Sequence, residues 1–310
     1  MKEEQILNLF PSSVRERFLQ VSVLASELQE IRLPVQKPVR IIGSGKEYFL
    51  DMSGNLQQSV TPDCWYIRAD ELEQIVNHLC QYSRYAYEAD IRQGFLTLPG
   101  GHRVGLAGQV SVTEEGLVKS IKYIRFMNIR ISHEIVGAAD SVLPFLLRDG
   151  QVKNTLIVSP PGCGKTTLLR DLVRQISDGS LLAPGKPVGV VDERSEIAGC
   201  FRGIPENKVG IRTDVMDSCP KCQGMMMLVR SMAPEVIAVD EIGGREDAVA
   251  ILEIQKCGCK VLATMHGNSM EDIRKNNMDE MLFERFVFLK KRDGRCVIDN
   301  IIEKEVQADV

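Results

Sequence analysis

The fold of this chain is decided by one stretch, Asn154-Thr-Leu-Ile-Val-Ser-Pro-Pro-Gly-Cys-Gly-Lys-Thr-Thr-Leu-Leu-Arg170. It opens with the apolar run Leu156-Ile-Val158, passes through a turn rich in proline and glycine, and continues directly into a helical pattern. A strand, a glycine-rich turn and a helix in this order are the context that a phosphate-binding loop requires. The alternative is a glycine-rich turn that merely caps a helix, and the strand before it favours the phosphate-binding loop.

The residue types of the loop indicate its chemistry. Gly162 and Gly164 allow the backbone to approach a polyphosphate and to point its N–H groups inward, at a helix N-terminus that favours anions. Lys165 is predicted to reach the β and γ phosphates, and the Thr166 hydroxyl to ligate Mg²⁺. The common pattern begins with glycine, whereas this chain has Ser159, which costs backbone freedom at that turn. The predicted nucleotide-binding residues are Ser159, Pro160, Pro161, Gly162, Cys163, Gly164, Lys165, Thr166 and Thr167.

A second motif, Val236-Ile-Ala-Val-Asp240-Glu241, follows about 75 residues after Lys165. An apolar strand that ends in Asp-Glu has the form of a Walker B element. Asp240 is predicted to hold Mg²⁺ through water, and Glu241 to orient and deprotonate the attacking water. The alternative is an acidic turn that only ends a strand.

Three further side chains are predicted at the same edge of the sheet. Asp192 and Glu193 end another apolar strand, and ligands of open α/β sheets bind beyond the carboxyl ends of the strands. We expect these two residues to contact water molecules or the metal ion from outside the set of residues that bind the metal directly. His266 ends the strand after the Walker B element and suits a sensor of the γ phosphate, although a lone histidine is more often structural.

Composition limits the classes of protein that the chain can represent. A length of 310 residues suggests about two domains, and the net charge of −4 gives no support to a broad nucleic-acid or anionic-membrane surface. The apolar runs are too short to span a bilayer. The acidic N-terminus, Met1-Lys-Glu-Glu4, has no apolar signal core, so we expect a cytoplasmic protein.

The nine cysteines do not indicate a disulfide scaffold in a chain of this length. Two pairs, Cys219-Pro-Lys-Cys222 and Cys257-Gly-Cys259, could together supply four zinc ligands, or the first pair could be redox-active. The second pair has the spacing C-x-C, and a helix and a strand are predicted between the pairs. We therefore expect ordinary thiols.

Hydrophobic periodicity divides the chain into two predicted domains. Residues 1–135 read as short helices followed by strands and a helix pair, an α+β pattern. The first helix of the pair would begin with a capping box, Asp70-Glu-Leu-Glu73. In residues 136–310 short apolar strands alternate with helices, which predicts a mainly parallel sheet covered by helices on both faces. Tyr82, Tyr85 and Tyr87 could stack on single-stranded nucleic acid, but packing of this helix pair on a sheet is favoured.

Several motifs together resemble a known family. The residues Asp192-Glu193 and Thr264-x-His266-Gly267 are similar to the Asp box and His box of secretion-type ATPases. The whole chain, including Gly101-His-Arg-Val-Gly-Leu-Ala-Gly108 and Asp192-Glu-Arg-Ser-Glu-Ile-Ala-Gly199, resembles the stage III sporulation protein AA family of endospore-forming bacteria.

The resemblance implies an α/β protein with an N-terminal domain and a RecA-like P-loop ATPase domain that binds ATP and Mg²⁺. It also implies a hexameric motor that energises the channel between mother cell and forespore. The motor would dock on a membrane protein encoded in the same operon and lie peripherally at the inner face of the membrane. Family ATPases bring arginines from the N-terminal domain or from a neighbouring subunit to the phosphates, and the candidates here are Arg103, Arg125, Arg130 and Arg212. The same arginines can also be solvated strand residues. An ATP-dependent single-stranded nucleic-acid-binding protein is the alternative function, which the net charge disfavours.

Overall fold

The computed structural model describes residues 3–276, 278–292 and 295–304, with only the backbone of residue 295. The chain forms two compact units, the first ending at His133 and the second beginning at Glu134. No helix in the described part of the chain is long and apolar enough to cross a lipid bilayer.

The first unit is built on a seven-stranded, fully antiparallel sheet. Its strands are β1 Leu28–Pro34, β2 Arg40–Gly43, β3 Lys46–Leu50, β4 Leu56–Gln57, β5 Phe95–Leu98, β6 His102–Val112 and β7 Val118–Arg130. Their spatial order is β4-β3-β2-β1-β7-β6-β5. The helices are α1 Glu3–Leu7, α2 Ser12–Arg15, α3 Leu19–Val23, α4 Ala69–Leu79 and α5 Glu88–Gln93, with 3₁₀ turns at Glu16–Phe18 and Arg84–Tyr87.

The helices cover a core around Trp65 and two stacked phenylalanines, Phe10 and Phe18, whose ring centroids are 3.5 Å apart. Helix α4 packs on this core through apolar residues three and four positions apart, as the sequence predicts. Its capping box lies earlier than predicted, because Glu71, not Glu73, accepts the N–H of Arg68.

The helix pair α4 and α5 packs on the sheet, as predicted, and Tyr87 packs partly against the same core. Tyr82 and Tyr85 are largely exposed, at 76% and 87%. The Tyr82 backbone has a φ of 58°, and its ring makes an edge contact with His78. A tight turn after α4 therefore carries the first of these rings away from the core.

The second unit contains a seven-stranded, mainly parallel sheet with the order β12-β11-β13-β14-β10-β15-β16. Its strands are β10 Thr155–Ser159, β11 Val188–Asp192, β12 Thr213–Asp217, β13 Val236–Val239, β14 Lys260–His266, β15 Arg285–Arg292 and β16 Arg295–Glu303, and a separate pair is β8 Leu147–Arg148 and β9 Gln151–Val152. The helices are α6 Leu143–Leu146, α7 Lys165–Asp178, α8 Lys221–Met232, α9 Arg245–Lys256 and α10 Met270–Lys275, with a 3₁₀ turn at Glu280–Leu282. The pair β15–β16 is antiparallel.

Apolar side chains cover both faces of this sheet and form two cores. Helix α7 packs on one face and α8 and α9 on the other. Strands β10, β11 and β13 are buried along their whole length, which explains their continuous apolar sequences. The predicted fold, an α+β domain followed by a mainly parallel sheet covered by helices, is confirmed.

Candidate functional site

The phosphate-binding loop connects β10 to α7 at the carboxyl edge of the sheet. Gly162 and Gly164 have φ values of 68° and 79°, in the region that glycine adopts without strain. Gly164 is the N-cap of α7, and Lys165 is its first residue. The N-terminus of this 14-residue helix therefore points into the concave side of the loop. This is the arrangement that binds anions.

Lys165 lies inside the loop and is 5% exposed. Its Nζ donates to the carbonyl oxygens of Ser159 at 3.1 Å and Pro160 at 3.2 Å, and lies 3.1 Å from Nδ1 of His266. Burial lowers the pKa of the Lys165 ammonium, whereas the carboxylates of Asp240 and Glu241 act in the opposite direction. The ammonium thus rests on weak neutral partners that an incoming phosphate can replace.

Ser159 replaces the usual first glycine of the loop without distorting it. The residue is fully buried, and its hydroxyl donates to the carbonyl oxygen of Pro160 at 2.9 Å. The same hydroxyl oxygen lies 3.4 Å from Nζ of Lys165. The serine therefore ties the start of the loop to the lysine that the loop encloses.

Asp240 follows β13 and meets the loop. Its Oδ2 accepts a hydrogen bond from the Thr166 hydroxyl at 2.7 Å, and its Oδ1 accepts one from the Thr264 hydroxyl. Thr264 is fully buried on β14, so it fixes the carboxylate from below. A hydroxyl and a carboxylate in contact at this edge are oxygen ligands of the kind that Mg²⁺ takes beside phosphates.

Glu241 has an unusual backbone, with a φ of 52°. Its N–H donates to the Thr264 hydroxyl at 2.8 Å, and its carbonyl oxygen accepts from Lys221 Nζ at 3.0 Å. Its carboxylate lies between two nitrogen atoms, with Arg194 Nη1 at 2.6 Å and His266 Nε2 at 3.1 Å. The left-handed conformation and these anchors turn the side chain toward the loop.

Strand order explains why His266 joins the site. Strand β14 lies between β10 and β13, and its register places His266 beside Ser159 and Thr264 beside Ile157. Parallel strands end at the same edge of a sheet, so the residues that finish β10, β13 and β14 converge there. The structure thus brings together Lys165, Thr166, Asp240, Glu241 and His266, as the sequence predicts.

Asp192 lies at the same edge but uses its carboxylate differently. The side chain is 1% exposed and accepts the backbone N–H groups of Glu196, Ile197 and Ala198 at 2.8 to 3.0 Å. Burial raises the pKa of Asp192 to about 6, against the effect of these three donors. Both oxygens close the turn after β11, so Asp192 shapes the site by holding this turn. The next residue, Glu193, forms an ion pair with Lys221 at 3.1 Å.

Of the candidate arginines, Arg212 lies in the second unit but away from this cluster. Arg212 precedes β12 at the amino edge of the sheet, where its Nη1 donates to the carbonyl oxygen of Ser177 at 2.9 Å. It therefore lies at the end of α7, about 20 Å along the helix from Lys165. Arg103, Arg125 and Arg130 belong to the first unit, where Arg103 stacks on Phe95 and the Arg125 guanidinium lies 5.1 Å from the Tyr123 ring centroid.

Two basic residues of the site, Arg194 and Lys221, were not predicted from the sequence. Both line a small cleft together with Asp192, Glu193, Glu196, Asp240 and Glu241. Arg194 directly follows the acidic pair after β11, a position that could have identified it. Lys221 begins α8 and gives no such signal in the sequence.

The paired cysteines do not form a shared site. Cys222 Sγ donates to Asp247 at 3.5 Å, and Cys259 Sγ to the carbonyl oxygen of Pro234 at 3.1 Å. Burial raises the pKa of the Cys222 thiol to about 11, which keeps it protonated. In the described ranges, no group of three or more histidine, cysteine or acidic residues could hold a metal ion.

A phosphate-binding loop follows a central strand, and acidic residues lie at the ends of two other strands of the same sheet. These two features define the class of P-loop folds. The ATPase DotB of Yersinia pseudotuberculosis matches with a TM-score of 0.62 at 14% identity, over 96% of this chain and 80% of that one. The pilus retraction motor PilT, solved with bound ADP, matches with a TM-score of 0.62 at 14% identity, over 94% of this chain and 83% of that one. The chain therefore shares its fold with DotB and PilT.

Sequence comparison identifies the family. The family described as "Sporulation stage III, protein AA" matches residues 1–308. The stage III sporulation protein AA of Bacillus subtilis (strain 168) is 39% identical over 307 residues, which are 97% of this chain and 95% of that protein. The chain belongs to the stage III sporulation protein AA family, which confirms the resemblance seen in the motifs. The type II secretion system protein E of Pseudomonas aeruginosa is 24% identical over 188 residues, which are 59% of this chain and 31% of that protein.

Proposed function

We propose that this chain hydrolyses ATP with Mg²⁺ and acts as the motor of a sporulation channel between mother cell and forespore. One observation carries the enzymatic part of the proposal, namely the convergence of Lys165, the Thr166–Asp240 pair and Glu241 at one edge of the sheet. The sporulation role is supported by the Bacillus subtilis relative, which covers nearly the whole chain.

The residues fit both ATP and Mg²⁺. A Cβ placed at Gly162 would approach only the distal Lys291 Nζ, at 3.7 Å, so the concave side of the loop has room. The buried Lys165 ammonium already faces oxygen atoms there. Thr166 and Asp240 would hold Mg²⁺, which would neutralise charge on the phosphates.

The residues of the chain divide the work of phosphoryl transfer. Lys165 would leave the loop carbonyls for the phosphates, and the N-terminus of α7 would add its N–H groups. Glu241 would orient the attacking water and accept its proton, since it directly follows Asp240, whose Oδ1 lies 3.1 Å from the Glu241 backbone N–H, and would leave Asp240 as the metal ligand. His266, which contacts both Lys165 and Glu241, would connect the phosphate side to the base.

Assembly forms the second part of the proposal. We expect a hexamer in which an arginine from a neighbouring subunit or from the first unit completes the site, with Arg103 and Arg212 as candidates. Domains of residues 1–135 and 136–310 would then rock against each other as nucleotide is bound and hydrolysed. The ring would dock on a membrane protein encoded in the same operon, at the cytoplasmic face of the membrane.

The first experiment measures turnover of ATP as a function of protein concentration, with the mass followed by light scattering. Turnover that rises steeply with concentration, together with a hexamer mass, is expected of a ring whose sites are completed between subunits. Lys165→Ala should abolish turnover, whereas Lys256→Ala, which removes a surface ion pair with Glu253, should not. Normal turnover in the Lys165 variant would refute the site, and flat turnover from a monomer would refute completion in trans.

The exposed rings of Tyr82 and Tyr85 favour one alternative, an ATP-dependent single-stranded nucleic-acid-binding protein. Filter binding with single-stranded DNA and RNA over a salt series separates the two functions. Under the motor proposal, Tyr85→Ala leaves the weak retention of either nucleic acid unchanged. Salt-dependent binding that falls with this substitution would support the alternative.

A further inference from the structure

Arg194 forms an ion pair with Glu241, the residue that the proposed reaction needs as its general base. Its Nη1 lies 2.6 Å from Oε2 of Glu241, while Nε2 of His266 lies 3.1 Å from Oε1. Both carboxylate oxygens are therefore in contact with nitrogen atoms. A general base must offer a lone pair to the water from which it takes a proton, so in this arrangement Arg194 competes with that water for Oε2 of Glu241.

The turn that carries Arg194 is fixed on both sides. Before it, the carboxylate of Asp192 accepts three backbone N–H groups of the following residues. After it, the hydroxyl of Ser195 donates to Asp217. The Arg194 side chain itself is 58% exposed. Its guanidinium can therefore exchange one partner for another while the backbone of the turn stays in place.

The charge of the surrounding cleft favours such an exchange. Five carboxylates line the cleft with two basic residues, Arg194 and Lys221. Lys221 is already engaged, by the carboxylate of Glu193 and the carbonyl oxygen of Glu241. A γ phosphate that arrives beside Glu241 would be repelled by these carboxylates, and a guanidinium that moved to it would reduce this repulsion further than Lys165 and Mg²⁺ do. The planar guanidinium of an arginine can bind phosphate in a bidentate manner, whereas its present ion pair with Glu241 is partly exposed to solvent, with 58% and 28% of the two side chains accessible.

We propose that Arg194 binds the γ phosphate of ATP in its own subunit and, by moving there, releases Oε2 of Glu241 to the attacking water. With ADP the Arg194–Glu241 ion pair remains, and Arg194 continues to compete for Oε2. This inference rests on the proposed ATP hydrolysis, and it adds the residue by which the site distinguishes a triphosphate from a diphosphate.

The test compares two nucleotides on the full-length protein. Mg–ADP and Mg–ATPγS are titrated calorimetrically into the wild type, Arg194→Ala, Arg194→Lys and the surface control Lys256→Ala. In Arg194→Ala we expect affinity for ATPγS to fall about tenfold, the worth of a charge-assisted hydrogen bond, with ADP affinity unchanged. Arg194→Lys should recover part of the loss because it keeps the charge without the planar fork. ATP turnover should fall in the same order.

The outcomes separate this inference from the function on which it rests. An equal loss of ADP and ATPγS affinity in Arg194→Ala would show a structural role and overturn the inference, as would affinities that do not change. In either case nucleotide binding by the wild type leaves the proposed function intact. A wild-type protein that binds neither nucleotide would overturn both. A higher turnover in Arg194→Ala would also contradict the inference, because it would make Arg194 only a brake on Glu241.

Discussion

The hydroxyl of Thr166 donates to Oδ2 of Asp240 at 2.7 Å, which joins two residues that lie 74 positions apart in the chain. Thr166 is the second residue of α7, Asp240 follows β13, and β14 lies between the strands that lead to them. The contact brings a neutral oxygen and a charged one together where the phosphate-binding loop ends. This pair is the feature that most directly connects the fold to Mg²⁺-dependent chemistry.

Glu241→Gln should separate nucleotide binding from hydrolysis. Glutamine keeps the shape of the side chain but cannot accept a proton from water, so we expect turnover to fall by about a hundredfold or more. ATP should still bind, and the purified variant should retain it, as measured by chromatography of the released nucleotide.

The matched control for this variant is Glu235→Gln. Glu235 directly precedes β13, whereas Glu241 lies beyond the other end of the strand. The carboxylate of Glu235 forms an ion pair with Lys186. Its substitution should leave turnover unchanged. Equal turnover in the wild type and in Glu241→Gln would remove Glu241 from the role of base.

Thr264→Val should weaken the metal site. The Thr264 hydroxyl donates to Asp240 and accepts the N–H of Glu241, so valine of similar size removes both hydrogen bonds. Because residues behind metal ligands fix their orientation, we expect the Mg²⁺ concentration for half-maximal turnover to rise about tenfold. Thr155→Val is the control. Thr155 is as buried as Thr264, but it begins β10, at the end away from the phosphate-binding loop, and its hydroxyl donates to the carbonyl oxygen of Lys153. A Thr264 variant with an unchanged Mg²⁺ requirement would contradict this prediction.

Gly108 is predicted to be essential for the long β6–β7 hairpin. A Cβ at this position would lie 1.8 Å from the carbonyl oxygen of Tyr123, a backbone atom that cannot move aside easily. We expect Gly108→Ala to lower the free energy of unfolding of the first unit by about 3 kcal/mol. Gly105→Ala, on the same strand, meets its neighbour at an ordinary 3.9 Å and should cost less than about 1 kcal/mol.

Trp65 provides the measurement for this pair of variants. It is the single tryptophan of the chain and is buried in the first unit, so its emission during urea unfolding reports that unit in the full-length protein. Equal midpoints for the two alanine variants would show that the hairpin relaxes around the added methyl group.

The first unit should lose stability at mildly acidic pH because of His102. Burial, with a smaller contribution from His133, lowers the pKa of His102 from 6.5 to about 4. Below pH 6.5 the unfolded chain therefore binds a proton that the folded chain does not bind, so unfolding becomes easier as the pH falls. Between pH 7.5 and pH 5 this residue should lower the free energy of unfolding by about 2 kcal/mol.

Urea unfolding followed by Trp65 emission at the two pH values measures this loss. His102→Gln removes the titrating group and keeps an acceptor for the N–H of Ser132, which His102 Nδ1 accepts in the wild type. The variant should show a smaller loss between the two pH values than the wild type. Equal losses would mean that His102 is not the group responsible.

Local signals in the sequence predicted most of the elements correctly. The loop at Gly162–Thr166 and the strand before Asp240 each depend on neighbouring residues, and both are present. The prediction failed where a side chain's partners come from other elements. Glu71 rather than Glu73 caps α4, and Glu71 also accepts hydrogen bonds from Arg17 and Trp65, which lie outside the helix.

The sequence by itself determined the class of the second unit, because a glycine-rich loop between an apolar strand and a helix needs no distant contact to be recognised. Only the tertiary structure decided how the site is completed. The insertion of β14 beside β10 places His266 against Lys165, and the turn closed by Asp192 carries Arg194 to Glu241. Strand order and register follow from burial of both faces of the sheet, a long-range balance of packing that residue spacing does not encode.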